Sequence, residues 1–140
     1  MLVLDANILI RGILGRRVRT IIASYGNTVE FLAPDVAFTE ARRHLPIVLA
    51  KRETPAEPAM LLLESLGEVI QEVGFETYAA SEEIARRRLA GRDPDDWPVL
   101  ATALVFNCPI WTEDTDFFGA GVATWTTDRV ELFLQGGGHG

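Results

Sequence analysis

A chain of 140 residues, 48% hydrophobic and 24% charged, has the size of one globular domain and is expected to fold as such over 1–135, ending in a flexible glycine-rich tail at 136–140. Its one cysteine, Cys108, excludes a disulfide framework within the chain and argues against a Cys/His zinc site, and no apolar run approaches the ~18 residues needed to cross a bilayer. The formal net charge of −7 counts, as a sum, against a nucleic-acid-binding surface, which is usually basic.

In chain order, Met1 to Leu4 reads as a short apolar strand ending at Asp5, followed by a helical stretch from about Ile8 to Ser24, broken at Gly12 or Gly15. Val29 to Ala33 is a second strand. Pro34-Asp35 opens a helix to about Arg52, with Asp35 in a first turn that favours negative charge, and Pro46 should bend or split that helix. Beyond the break at Pro55–Pro58, a helix spans about Ala59 to Leu66, and Val69 to Val73 is a third strand or an extended loop. Tyr78 to Ala90 is helical, with Gly91 after its end. The next helix has two candidate starts. Asp95 as its cap puts Pro98 in the first turn, where no amide hydrogen is needed, and puts Asp96 just ahead of the apolar face. Asp93 as its cap suits Pro94 but leaves Pro98 too deep, so the later start is preferred. That helix runs to Phe106. Pro109 to Thr112 and Val122 to Trp125 are strand-like, and a last short helix runs from Thr127 or Asp128 to Leu134. Short strands alternating with helices imply an α/β fold, a three-layer α/β/α sandwich around a largely parallel sheet. In such folds the ligand site lies at the carboxyl ends of the strands.

Several acids sit where that rule places a site. Asp5 ends the first strand, and Asp114 follows the strand at Pro109–Thr112, in the run Thr112-Glu113-Asp114-Thr115-Asp116. Arg92-Asp93-Pro94-Asp95-Asp96-Trp97 crowds three more acids ahead of an apolar helix, and capping accounts for only one of them. Glu40 lies in the helix Val36–Ala41 among apolar neighbours. Each has an ordinary alternative: Asp5 and Asn7 as residues of a helix start, Glu40 as a solvated helix residue, Asp114 and Asp116 as turn residues. Together those alternatives fail. Two carboxylates ~4 Å apart repel by about 4 kcal/mol at an effective dielectric of about 20, and divalent cations remove that repulsion. Oxygen ligands without His or Cys suit Mg²⁺ or Mn²⁺ rather than zinc. The cations are twelve arginines and one lysine, clustered at Arg16-Arg17-Val18-Arg19, Arg42-Arg43 and Arg86-Arg87-Arg88. Arginine suits phosphate forks, so Arg86 and Arg87 are candidate contacts to an RNA backbone. A solvated helix face paired with Glu82 and Glu83 is the other reading. Trp97, Trp111 and Trp125 read as core, and Cys108 as a small buried hydrophobe.

Four segments carry a resemblance to a known family: Val3-Leu4-Asp5-Ala6-Asn7, Thr39-Glu40, Asp95-Asp96-Trp97 with Leu100 to Leu104, and Trp111 to Phe117. In this order they resemble the PIN-domain family over nearly the whole chain. The resemblance implies a PIN-like sandwich and a metal-dependent nuclease acting mainly on RNA. It maps the family's four acids onto Asp5, Glu40, Asp96 and Asp114. Asp5, Asp96 and Asp114, with Asp116 as an additional acid, would hold one or two Mg²⁺ (or Mn²⁺) ions. Glu40 would be a ligand or orient water, and Asn7, Thr112 and Asp93 would support the site. Many small members resemble VapC-type toxins held inactive by a cognate antitoxin, and members commonly pair. An RNA substrate, an antitoxin and a homodimer are therefore the expected partners, with no membrane involved. The segment Phe117 to Thr127 looks like a distinct branch of the family.

Two rival readings remain. A phosphotransferase of the haloacid-dehalogenase type also begins with Asp after a strand, but it would need a second Asp where Asn7 stands and a lysine before the late acids. A non-catalytic PIN-like module that binds RNA or a protein would gain nothing from carboxylates facing phosphate. The N-terminus has no basic region ahead of its apolar stretch, and one free thiol suits a reducing compartment, so a cytoplasmic location is expected.

Overall fold

The structure, a computed structural model, describes residues 1–137. Its centre is β1 (Leu2–Leu4), three consecutive buried residues. A strand with no exposed face must be covered on both sides, which is the condition of a parallel sheet clad in helices. β2 (Phe31–Pro34), β3 (Ile70–Val73), β4 (Ile110–Trp111) and β5 (Thr124–Trp125) join it in the order β3-β2-β1-β4-β5, every pair parallel.

Strand alternation divides the core in two. Leu2, Leu4, Phe31, Ala33 and Trp111 enter one apolar cluster, and Val3, Leu32 and Ile110 enter the other. The first is covered by α1 (Ala6–Leu14), α2 (Arg17–Tyr25), α3 (Asp35–Lys51), α4 (Glu57–Val69) and α8 (Val130–Gln135). The second is covered by α5 (Phe75–Tyr78), α6 (Glu82–Arg88) and α7 (Trp97–Phe106). From β1 the chain winds outward through β2 to β3, then returns by α5–α7 on the opposite face to β4, on the other side of β1. The strand order therefore reverses between β1 and β4. Such a switch point opens a crevice at the carboxyl ends of the strands, and Asp5 and Asp114 stand on its two sides. The α/β/α sandwich and parallel sheet expected from the element order are thus present.

Several boundaries differ from expectation. The first helical stretch breaks at Gly15–Arg16, not Gly12, and starts at Ala6. α4 extends beyond 59–66 at both ends and contains Gly67, whose missing side chain faces the Phe38 ring. The expected helix 78–90 is divided into α5, a 3₁₀ turn at Ala79–Ser81 and α6, and Gly91 follows with φ +83°. Both candidate starts near Pro94 are used. Asp93 caps a 3₁₀ turn at Pro94–Asp96 through the Asp95 amide, and α7 begins at Trp97 with Pro98 in its first turn. Asp95 is therefore not the cap. α8 begins later than Asp128 because the amides of Arg129 and Val130 both turn back to the Thr126 carbonyl. Of the expected flexible tail, Gly136 and Gly137 bond to the carbonyls of Phe133 and Leu134, and 138–140 lie outside the described residues. Trp97 and Trp111 are core, as expected, and burial pushes the Cys108 thiol up to about 11, away from thiolate chemistry. Among the described residues, no helix is long and apolar enough to cross a membrane.

α3 was expected to bend or split at Pro46, yet it runs through that position as one helix of 17 residues. Packing of Phe38, Ala41, Leu45 and Leu49 in the core holds it together although the Arg42 carbonyl loses its amide partner. Pro46→Ala restores that donor and is expected to stabilise the fold by about 1–3 kcal/mol, against the ~3 kcal/mol that proline costs a helix interior. Urea unfolding measures it, and an unchanged midpoint would mean that the helix has already relaxed around the ring.

Candidate metal centre at the strand ends

Asp5 is 6% exposed, so its carboxylate needs partners. One oxygen caps α1 by accepting the Ile8 amide at 3.0 Å; the other accepts the Thr112 hydroxyl at 2.5 Å. The capping reading and the site reading of Asp5 thus both hold, one on each oxygen. Thr112 Oγ1 in turn accepts the Asp114 amide at 2.9 Å, and Asp114 Oδ1 accepts the Asp116 amide at 2.9 Å, which opens a 3₁₀ turn at Thr115–Phe117. A chain of hydrogen bonds therefore runs from the end of β1 through the end of β4 to Asp116.

Across the crevice stands the turn before α7. One carboxylate oxygen each from Asp93, Asp96 and Asp116 lies within 4.8 Å of the other two. This triad shares Asp96 and Asp116 with the expected ligands and adds Asp93, which was expected only to support them. Asp5 and Asp114 join through charge. Burial, then the charges of Asp93, Asp114 and Asp5, pushes the Asp96 carboxyl up to about 7, and Asp96 stands close enough to Asp114 to share a proton with it. Burial likewise pushes Asp5 up to about 6, against the bonds from Thr112 and Ile8, with the charges of Asp114 and Glu113 adding to the rise.

Among the described residues, Glu40, Asn7, Arg86 and Arg87 make no hydrogen bond or ion pair to these acids. Glu40 is on the exposed side of α3 and is not among the charges that act on Asp5 or Asp96. Asn7 is exposed in the first turn of α1. Arg86 is bonded to Glu82 at 2.8 Å and stacks over the Trp97 ring, beside Asp96, while Arg87 pairs with Glu83 at 3.6 Å. From the sequence, Glu113 and Arg92 had no assigned role, and Arg88 was only one member of an arginine cluster. Glu113 accepts the Thr127 amide at 2.7 Å and ties β4 to the segment after β5. Arg92 donates to the Asp116 carbonyl at 3.0 Å and Arg88 to the Ala120 carbonyl at 3.3 Å, clamping the β4–β5 connection. Their place just before the acid-rich turn was the only available hint.

The donor set fits a hard divalent cation. It is all carboxylate oxygen, and among the described residues none of Asp5, Asp93, Asp96, Asp114 and Asp116 has an ion-pair partner. Burial first, and then the neighbouring carboxylates, raise Asp5 and Asp96. Between the ordinary value of 3.8 and the folded values near 6 and 7, the native state holds protons that the unfolded chain has lost. In that window stability falls as pH rises. For Asp5 the rise corresponds to about 3 kcal/mol; half-exposed Asp96 contributes less, through solvent screening. Asp5→Asn keeps an oxygen for the Ile8 amide. In EDTA, its stability should exceed the parent's by about 2–3 kcal/mol more at about pH 7.5 than at about pH 4. Urea unfolding of both proteins at the two pH values checks this, and parallel profiles would show that Asp5 carries no charge penalty.

Comparison with known proteins agrees with this geometry. No curated protein matches the chain. Among solved structures, FitAcB from Neisseria gonorrhoeae is similar at TM-score 0.66 and 23% identity, over 91% of this chain and 98% of that one. FitAB bound to an IR36 DNA fragment is similar at TM-score 0.61 and 24% identity, over 91% and 95%. A family model described as the PIN domain matches residues 3–135, and with nearly its whole length matched, the chain belongs to the PIN-domain family.

Proposed function

We propose that the protein is a Mg²⁺- or Mn²⁺-dependent endoribonuclease that hydrolyses phosphodiester bonds of single-stranded RNA in the crevice between β1 and β4. The observation that carries this reading is the group of carboxylates at the switch point with no cationic partner among the described residues. PIN domains are generally nucleases that use divalent metals, which supports it further. Asp93, Asp96 and Asp116 would hold one cation, and Asp5 and Asp114 would share Asp96 with it or hold a second. Bound there, the metal would supply Lewis-acid stabilisation of charge on the attacking and leaving oxygens.

The chain's own residues do the positioning. Thr112 fixes the rotamer of Asp5 and the backbone at Asp114 with one hydroxyl. Arg92 and the Asp114–Asp116 bond hold Asp116 towards Asp96. Glu40 is assigned a lesser part, orienting water from the exposed side of α3, and Asn7 a supporting one at the start of α1. Arg86 and Arg87 are proposed to meet the strand's backbone beside Asp96. Their pairs with Glu82 and Glu83 are exposed, and exposed pairs of this kind are worth only about 0–1 kcal/mol, so a phosphate can displace them. A toxin's role, with a cognate antitoxin and a homodimer, extends the reading. The FitAB structure on DNA supports a nucleic-acid setting for it.

Purified protein should cut single-stranded RNA only with Mg²⁺ or Mn²⁺, and EDTA should stop it. Asp96→Asn and Asp114→Asn should each lower the rate by more than about 100-fold, beyond the roughly 10–100-fold expected of an outer partner such as Thr112→Val. The two losses should not add, because the residues act as a unit. Glu40→Gln should cost less than either. RNA bound but never cut would replace the enzyme with a binding module. In a bacterial host, expression of this chain alone should slow growth and Asp96→Asn should restore it; equal growth of the two strains would remove the toxin's role while leaving the nuclease.

A further inference from the structure

The chain's net charge of −7 is reversed locally at a cavity of about 570 Å³ beside the crevice, lined by Arg11, Arg16, Arg17, Arg52, Glu113 and Thr127 among others. The four guanidinium groups come from three separate elements, the last turn of α1, the start of α2 and the end of α3, so the fold, not a run in the sequence, brings them together. Only Arg17 is paired, with Asp128 at 3.5 Å, and both side chains of that pair are exposed. Arg11, Arg16 and Arg52 have no ion-pair partner among the described residues.

Two further features suit an anion. α2 begins at the cavity with no side-chain cap, so its first amides and the positive end of its dipole are open to a ligand. Two carboxylates also line the cavity, Asp128, which pairs with Arg17, and Glu113, one of whose oxygens accepts the Thr127 amide, so the four guanidinium groups outnumber the acids there. Glu113 also fixes where the cavity lies: it lines this wall while the next residue, Asp114, belongs to the acid cluster, and its charge reaches Asp5. An extended polyanion with one phosphate at the acids would therefore bring a neighbouring phosphate to the arginines. Multiple forked donors spread over several elements match the backbone of a flexible strand better than a single compact anion.

We infer that this arginine-lined cavity is a second subsite for the RNA strand, holding a backbone phosphate that flanks the one placed at the acid cluster. The inference rests on the ribonuclease reading for its ligand, but not for its test. The acids repel the strand and the cavity attracts it, so most of the net attraction on this side comes from Arg11, Arg16 and Arg52.

The test is binding of a short fluorescent single-stranded RNA, with Ca²⁺ in place of Mg²⁺, over a series of salt concentrations. Arg16→Ala with Arg52→Ala should lower affinity about tenfold and reduce the slope of log K against log salt by about 0.7, the contribution of the one phosphate no longer neutralised. Arg43→Ala, an exposed cation on α3 outside the cavity, should change neither. With Mg²⁺, the double variant should raise KM and leave kcat nearly unchanged. An unchanged affinity and slope in the double variant would overturn the subsite even if the parent cuts RNA. Conversely, arginine-dependent RNA binding without any metal-dependent cutting would keep the subsite and overturn the nuclease reading. Displacement of the RNA by an acidic peptide at equal charge, as readily as by unlabelled RNA, would overturn the inference in favour of a protein ligand.

Discussion

Thr112 reaches Asp5 across 107 residues of sequence, and that bond decides how the two halves of the sheet meet. β1 and β4 are short, with only Val3–Ile110 and Leu4–Trp111 in register. So brief a pairing leaves the residues beyond it free unless something ties them. The hydroxyl does so by donating to a buried carboxylate and accepting from the Asp114 backbone. It can serve both only because a hydroxyl carries one donor and two acceptor sites. A valine of the same shape would leave Asp5 with one bond in a place where a buried charge needs all it can find.

The acids therefore sit on a scaffold that works against their own ionisation. Asp5 is buried, Asp96 is half-buried and crowded by three carboxylates, and both carboxyls are raised above the ordinary range. A protein selected only for stability would have placed a cation among them. One cation is near, Arg92, yet it is directed at the Asp116 main-chain carbonyl, and Arg88, which lines a separate cavity with Met1 and Asn107, is directed at the Ala120 carbonyl of the β4–β5 connection. Gly121 lets Arg88 lie there, since a side chain at that position would come within 2.7 Å of the guanidinium group. Arg92 is thus committed to structure beside the acids, while the arginines around the α1–α2 turn are largely unpaired. The acidic total conceals this division.

How far the sequence disclosed the site follows from the geometry of each element. Asp5 and Asp114 were legible because each ends or follows an apolar strand, and a parallel sheet fixes which end of a strand faces the crevice. Asp96 was legible from crowding alone. Glu40 rested on the family resemblance alone, because an acid within a half-apolar helical run has no marker of direction, and the fold leaves it exposed. Asp93 was undervalued since its rank depended on where the helix starts. A one-start assumption missed that a 3₁₀ turn and an α-helix follow one another there, satisfying Pro94 and Pro98 in separate first turns. Helix limits erred for a similar reason. Gly67 and Pro46 are weak stop signals, and the packing of α3 and α4 on the sheet outweighs them.

That succession of turns also explains how Asp93 and Asp96 come to face the same point. Residues three apart share one face of a 3₁₀ turn, so a turn capped by Asp93 brings the Asp93 and Asp96 carboxylates together. A regular α-helix from Asp93 would have carried Pro98 into its interior, at a cost of ~3 kcal/mol. Trp97, buried immediately after Asp96, anchors the turn through edge contacts with Tyr78 and Phe75. Tyr78 is bonded through its hydroxyl to Asp35 at the start of α3, just past the end of β2. The acid-bearing turn is thereby referred back to the same row of strand ends that carries Asp5. Two independent supports, the Thr112 bond on the β4 side and the Trp97–Tyr78–Asp35 contacts on the β2 side, hold the facing carboxylates in place. Loss of the Thr112 hydroxyl should therefore loosen the cluster without unfolding the sheet, because that hydroxyl takes no part in the strand pairing, whereas Trp97 and Tyr78 also belong to the second apolar cluster, so their removal weakens the core as well.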